Sequence, residues 1–143
     1  MPYRFLEDIA IADVAFEAWG ETLEELFSAS AVALLRTMVE EPEQVERRQE
    51  LRIKLEHGEL DLLLYAFLEE LVFYKDARKL LLYPVRVRVV GQEGDYRLEA
   101  VVAGETISPD RHRLLVDVKA VTLHRFALFR EGDLWRSSVI LDV

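Results

Sequence analysis

Two aspartates stand out because each interrupts an apolar, strand-like run near one end of the sequence. Asp13 lies within IAIADVAF, and Asp142 is the penultimate residue of VILDV, beside the carboxylate of Val143. Aspartate is disfavoured inside a strand and costs free energy if it is buried without a partner. If the first and last strands lie close together, these groups converge on an all-oxygen site suited to Ca²⁺, Mg²⁺ or Mn²⁺. The alternative for Asp142 is an ordinary solvated chain end.

Lys119 is the cation that the pattern singles out. It lies between apolar residues in DVKAVTLH, where we expect the centre of a strand. A lysine in that position usually pairs with an acid, and Asp117, Glu105 and Glu99 are the candidate partners. A structural ion pair and a functional role both fit this position.

Motifs of common enzyme classes are absent from the sequence, which has no GxSxG, Walker, HExxH or GxGxxG pattern. Because His57, His112 and His124 are far apart, we expect each to be a surface or structural residue. The absence of cysteine excludes disulfides, zinc–thiolate sites and cysteine nucleophiles. Carboxylates are therefore the best candidates for chemistry.

The charge of the 143-residue chain is strongly negative, with 27 acids against 18 Lys and Arg and a net charge of −9. Such a chain repels a phosphate backbone, and the sequence has no Lys/Arg cluster interleaved with aromatics to offset that repulsion. Direct nucleic-acid binding is therefore not expected, and the alternating Arg86 and Arg88 indicate a solvated strand face. An acidic face can instead meet a basic protein partner or concentrate divalent cations.

Targeting signals are not visible in the sequence. No apolar run approaches the roughly 18 residues that a membrane helix needs, and the N-terminus lacks the pattern of a secretory signal. We therefore expect no membrane association and a cytoplasmic location. The sequence leaves the oligomeric state open.

The spacing of apolar residues predicts a single domain over residues 1–143 with two helices and six or seven strands. One helix is predicted over 22–39, where Thr22 and Glu25 form a capping box, and the other over 59–78. The predicted strands cover 3–7, 11–19, 51–55, 85–89, 96–102, 115–130 (one long strand or a bent pair) and 135–143, with a loop at 104–109. This order indicates an α+β fold in which both amphipathic helices pack on one face of a mostly antiparallel sheet.

Several segments together resemble the archease family. The matching pieces are YRFLE and ADVAFEAWG, ETLEELF, LDLLLYAFLEELVFYKD, GETISPDRHRLLVDVKAVTLH and VILDV, which span nearly the whole chain. The pieces most specific to this family are KAVTLH and the C-terminal LDV. Many members of the family read His-Thr-Ala-Asp near the start, whereas this chain reads DIAIAD and keeps only the Ala-Asp that ends at Asp13.

The resemblance implies a non-enzymatic activator of the RNA-splicing ligase that joins 2′,3′-cyclic phosphate and 5′-hydroxyl ends, notably of tRNA halves. Such activators promote guanylylation of the ligase's active-site His, allow multiple turnover and broaden nucleotide use beyond GTP. The resemblance also implies a divalent cation, assigned as calcium, bound by Asp13, Asp142 and Val143. It implies a part in activation for Lys119.

Two other functions fit the residues. The first is a stand-alone metal-dependent phosphohydrolase that uses Asp13 and Asp142, for which His112 or His124 would have to serve as general base. The second is a chaperone-like adaptor whose acids are merely solvated, and this alternative predicts no measurable metal affinity.

Overall fold

The computed structural model describes residues 2–6 and 13–143. Two helices, α1 (Leu23–Met38) and α2 (Leu60–Arg78), are joined to seven strands and a short 3-10 turn at Pro42–Gln44. The strands are β1 (Tyr3–Leu6), β2 (Asp13–Gly20), β3 (Gln49–His57), β4 (Leu80–Gln92), β5 (Asp95–Thr106), β6 (Ala120–Glu131) and β7 (Leu134–Asp142). The predicted α+β class, with two helices and mostly antiparallel strands in one domain, is confirmed.

The seven strands divide between two antiparallel sheets, in the orders β1-β2-β7-β6 and β3-β5-β4. Both helices contact strands of both sheets, so they do not simply cover one face of a single sheet. Small residues in α1, such as Ala29, Ala31 and Ala33, are fully buried and let this helix pack closely against its neighbours. The core therefore lies along the two helices, and the outer faces of the sheets remain available to solvent.

Both helices begin and end within one residue of the predicted limits. The N-terminus of α1 is capped by Thr22, whose Oγ1 accepts a hydrogen bond of 3.1 Å from the Glu25 N–H. The Glu25 carboxylate in turn accepts from the Glu21 N–H at 2.8 Å, one residue earlier than in the usual capping box. The first turn thus satisfies its free N–H groups locally.

Strand β5 extends to Thr106 and so takes up the first three residues of the loop predicted from Gly104 to Pro109, whereas residues 107–109 are outside any strand, as predicted. Gly104 lies opposite Leu82 of β4, and a Cβ at this position would stand 1.6 Å from the Leu81 carbonyl oxygen. Only glycine allows the backbones of β4 and β5 to approach so closely here, so Gly104 is an interior residue of the strand and does not mark its end.

Strand β6 begins later than predicted and is irregular. Residues 115–119 are not part of a strand, and the Leu115 and Val116 N–H groups donate to carbonyls at the C-terminal end of α1. Within β6, the four residues between Thr122 and Ala127 lie opposite Val139 alone, which makes a large irregular bulge. Of the two predicted alternatives, one long strand or a bent pair, the structure has a single strand with an interruption.

No helix in the ranges 2–6 and 13–143 is both long and apolar enough to cross a membrane. Residues 7–12, which include parts of both predicted N-terminal strands and most of the DIAIAD run, lie outside the described residues.

Candidate functional site

The four-stranded sheet brings the two candidate aspartates together. Strands β2 and β7 are antiparallel neighbours, and Asp13 at the start of β2 lies directly opposite Asp142 at the end of β7. Side chains directly opposed on antiparallel strands point to the same face, with Cβ atoms about 5 Å apart. Both aspartates are half-buried, and the register makes their side chains neighbours on one face of the sheet.

Strand β6 places Lys119 beside this pair of aspartates. Ala120 lies opposite Asp142 on the other side of β7, and the Lys119 N–H donates to the Asp142 carbonyl at 2.8 Å. The lysine therefore precedes the strand, where its side chain is exposed, and the prediction of a strand-centre position was wrong. Its main chain is fixed to Asp142, and its ammonium takes part in none of the ion pairs formed by the described residues.

Asp117, one candidate partner of Lys119, pairs instead with a lysine on α2. The Lys75 ammonium lies 2.6 Å from carboxylate oxygens of Asp117 and Asp76 and donates to the Val118 carbonyl, also at 2.6 Å. Burial alone would lower the pKa of Lys75, but its hydrogen bonds to the two aspartates outweigh burial and leave that pKa raised. Lys75 thus fastens the segment that leads into Lys119.

Glu105, the second candidate partner, is the centre of a separate buried network. Its carboxylate accepts from the Glu46 N–H at 2.6 Å, pairs with Arg111, and lies 3.1 Å from Nε2 of His112. Burial opposes the charged form, but these hydrogen bonds and the Arg111 charge lower the pKa of Glu105 to about 2. Glu105 therefore holds two loops together, and the predicted pairing with Lys119 was wrong.

The histidines do not join the aspartates. Nδ1 of His112 accepts from the Ser108 N–H at 2.9 Å while Nε2 faces Glu105, so both ring nitrogens are occupied. His124 is exposed on the β6 bulge, and Nδ1 of His57 accepts from the Glu59 N–H at 3.1 Å. Glu99, the remaining candidate partner of Lys119, is on the second sheet, in β5.

The electrostatics of the aspartate pair favour a bound cation. Carboxylates directly opposite one another repel, and neither aspartate takes part in the ion pairs among the described residues. The donors are hard oxygens, which fit calcium, magnesium or manganese better than zinc. The described residues contain no cluster of three or more His, Asp or Glu, so further ligands would be main-chain or water oxygens. Val143 follows Asp142 directly and is half-buried at the same sheet end.

Lys75 was not among the residues predicted from the sequence, although a signal for it was present. Lys75 follows Leu71 and Val72 at helical spacing, so it continues the apolar stripe of α2 and had to be buried or paired. It is 3% exposed, whereas both of its acidic partners are exposed. A lysine on the apolar face of a helix was the detectable clue.

We expect Lys75→Met to destabilise the fold by about 1–2 kcal/mol, because the variant leaves the Val118 carbonyl without its donor while the aspartates stay solvated. Chemical denaturation would measure this loss. Lys79→Met, at an exposed position just beyond α2, is the matched control and should change stability by less than about 0.5 kcal/mol. A loss as small as that of the control would contradict a fastening role for Lys75.

Comparisons with known proteins give one consistent result. The model of the archease protein family (MTH1598/TM1083) matches residues 3–143. The protein archease of Pyrococcus furiosus is 34% identical over 133 residues, covering 92% of this chain and 93% of the relative. The protein archease of Methanopyrus kandleri is 33% identical over 143 residues and covers both chains fully.

Two solved structures share the fold. The solution structure of protein 1598 from Methanobacterium thermoautotrophicum superposes with a TM-score of 0.84 at 31% identity, covering 99% of each chain. The crystal structure of an archease from Thermotoga maritima, described as a possible chaperone, gives a TM-score of 0.61 at 17% identity and 98% coverage of each chain. The second likeness concerns the fold alone.

Proposed function

The chain belongs to the archease family, and from this premise we propose that it is a protein activator of an RNA-splicing ligase in the cytoplasm. The activator would act through a divalent cation, with calcium as the first candidate, held by Asp13, Asp142 and Val143. The observation that supports this most is the direct opposition of Asp13 and Asp142 across β2 and β7.

Each part of the site has a distinct part in the proposal. The carboxylates of the two aspartates would bind the cation and partly neutralise its charge. Because both aspartates are half-buried, their attraction to the cation would be stronger than in bulk water. When bound, the cation supplies charge neutralisation for a transferring phosphoryl group at the partner's nucleotide pocket. The exposed Lys119 would contact the nucleotide phosphates or orient an aspartate. The proposal thus gives the chain a site that is completed by another protein.

The positions of the possible general bases favour an activator over a stand-alone hydrolase. A hydrolase needs a general base within hydrogen-bond reach of its water. His112 has both ring nitrogens engaged, and His124 lies on the bulge of β6, four residues beyond the Ala120 that faces Asp142. Guanylylation would instead use the catalytic groups of the ligase, so the activator needs only the cation, a lysine and a docking face.

The test compares RNA ligation with and without this protein. It is run once with less ligase than RNA and once with more ligase than RNA. We expect the protein to convert a single round of joining into multiple turnover, and to increase the yield of guanylylated ligase when labelled GTP is supplied. Unchanged turnover and guanylylation would contradict the proposal.

The same preparation distinguishes the alternative functions. Phosphatase or nuclease activity of the isolated chain with Mn²⁺ would favour the hydrolase. If calorimetry detects no binding of Ca²⁺, Mg²⁺ or Mn²⁺ and ligation is unaffected, a chaperone-like adaptor is the better description.

A further inference from the structure

The outer face of the second sheet carries a group of basic side chains that we call the basic groove. It comprises Arg52 and Lys54 of β3, Arg86 and Arg88 of β4, and Glu99 and Val101 of β5 between them. The groove has a volume of about 340 Å³. Four cations surround one carboxylate, which gives a local charge of +3 on a chain whose net charge is −9.

The strand register explains how the groove forms. Arg52 and Arg86 both lie opposite Val101, and Lys54 and Arg88 both lie opposite Glu99. All four cations therefore project from the same face of the sheet, in two rows that cross the central strand. Neighbours within a strand are about 6.7 Å apart, and β3 and β4 are separated by about 10 Å.

Among the described residues, no carboxylate lies within 4 Å of the nitrogen atoms of these four cations, although Glu99 is their neighbour on β5. None of the ion pairs formed by the described residues includes Arg52, Lys54, Arg86 or Arg88. By contrast, Arg97 on the same face lies within 4 Å of carboxylates of Glu56 and Asp95. In a chain with 27 acids, a group of four cations with only one carboxylate among them is suited to an external anion.

We propose that the basic groove binds the phosphodiester backbone of single-stranded RNA without sequence preference. Two rows of cations extend too far for one small anion but match a chain of phosphates, and three of the four are arginines, which favour phosphate recognition. No aromatic side chain lines the groove, so contact is with the backbone and not with stacked bases. This proposal replaces the expectation, drawn from the net charge of the whole chain, that there is no direct nucleic-acid binding, and it does not depend on the proposed ligase activation.

The position of the groove favours RNA over an acidic peptide. Extended peptides add to a free sheet edge, where main-chain hydrogen bonds hold them. The groove instead lies over β5, the central strand, whose main chain is paired on both sides. A nucleic-acid backbone can bind through its phosphates to suitably spaced cations, without main-chain hydrogen bonds from the protein. The acidity of the remaining surface would confine RNA to this face.

The test uses the full-length chain in EDTA and a fluorescein-labelled 20-nucleotide uridine RNA, with fluorescence anisotropy at 50 and 200 mM KCl. Three phosphate contacts predict that affinity falls about twentyfold over this salt range, since each contact contributes roughly −0.7 to the logarithmic slope for single strands. The triple variant Arg52→Gln, Arg86→Gln, Arg88→Gln should bind at least tenfold more weakly than the wild type and with a shallower salt slope.

A matched triple variant provides the control for net charge. Arg4→Gln, Arg113→Gln and Arg130→Gln remove the same charge from exposed positions outside the groove, and we expect affinity to change less than threefold. Equal weakening by both triple variants, or no saturable binding by the wild type, would overturn the proposal. Stronger binding of a 20-residue polyglutamate than of the RNA would assign the groove to an acidic protein segment instead. Unfolding temperatures of all variants confirm that the comparison is made on folded protein.

Discussion

Asp142→Asn is expected to abolish stabilisation of the chain by calcium and to reduce stimulation of the ligase at least about tenfold. A cation bound only by the folded wild type adds about 2.7 kcal/mol at a concentration 100 times its dissociation constant. The amide removes one of two opposed carboxylates, so calcium should no longer raise the unfolding temperature. Thermal unfolding with and without calcium, together with a guanylylation assay, measures both effects.

The same substitution has an opposite effect when metal is absent. Asp13 and Asp142 are directly opposed, so their like charges disfavour folding of the metal-free chain. Asp142→Asn should therefore unfold at a slightly higher temperature than the wild type in EDTA, and Asp13→Asn should behave in the same way. The variant would thus be more stable than the wild type in EDTA and less stable than the wild type in calcium. General damage to the fold would lower the unfolding temperature under both conditions.

Asp133→Asn is the matched control, since Asp133 is an exposed acid in the turn at the other end of the β6–β7 hairpin. It makes the same change in charge and should leave the calcium response and ligase stimulation intact. An unaltered calcium response in Asp142→Asn would rule out a cation shared by the two aspartates. A lost calcium response with full ligase stimulation would show that the ion is structural only.

The sequence predicted which acids to examine but could not place them together. Asp13 and Asp142 were found because each interrupts an apolar run, and that signal is local. Their pairing depends on β2 and β7 being neighbours although they are at opposite ends of the chain, and nothing in strand periodicity specifies that order. The resemblance to a family, and not the physics of the pattern, supplied the expectation of proximity.

The basic groove was not predicted for a related reason. Arg52 and Arg86 are separated in the sequence by the whole of α2, so each strand alone shows only an ordinary alternation of apolar and basic residues. The cluster exists only because β5 pairs with both β3 and β4 in one register. Local patterns predicted helix limits well, since capping and 3.6-residue periodicity are local, whereas sites assembled across strands need the topology.

Glu105→Gln is expected to destabilise the chain by about 3 kcal/mol at pH 7, because it removes the charge from a buried ion pair and leaves Arg111 and His112 without it. Glu105 and His112 are both buried, so water cannot replace their contact, although it can hydrate the exposed Arg111. Urea unfolding of variant and wild type at pH 7 measures the difference in the free energy of unfolding.

The pH dependence of that difference follows from the lowered pKa of Glu105. Its pKa is about 2 in the folded chain against an ordinary value of 4.5, so the ionised form is favoured by folding. The resulting stabilisation, about 3 kcal/mol, is fully present above pH 4.5 and is lost as the pH falls toward 2. The difference between wild type and Glu105→Gln should therefore shrink to less than half of its neutral value by about pH 3.

Glu50→Gln provides the matched control, because Glu50 is an exposed glutamate on β3. Its effect should stay within about 0.5 kcal/mol across the whole pH range. If the cost of Glu105→Gln were the same at pH 3 as at pH 7, the lost contribution would be packing or a neutral hydrogen bond and not the carboxylate charge. A cost as small as that of the control at pH 7 would mean that the Glu105 network does not hold the two loops together.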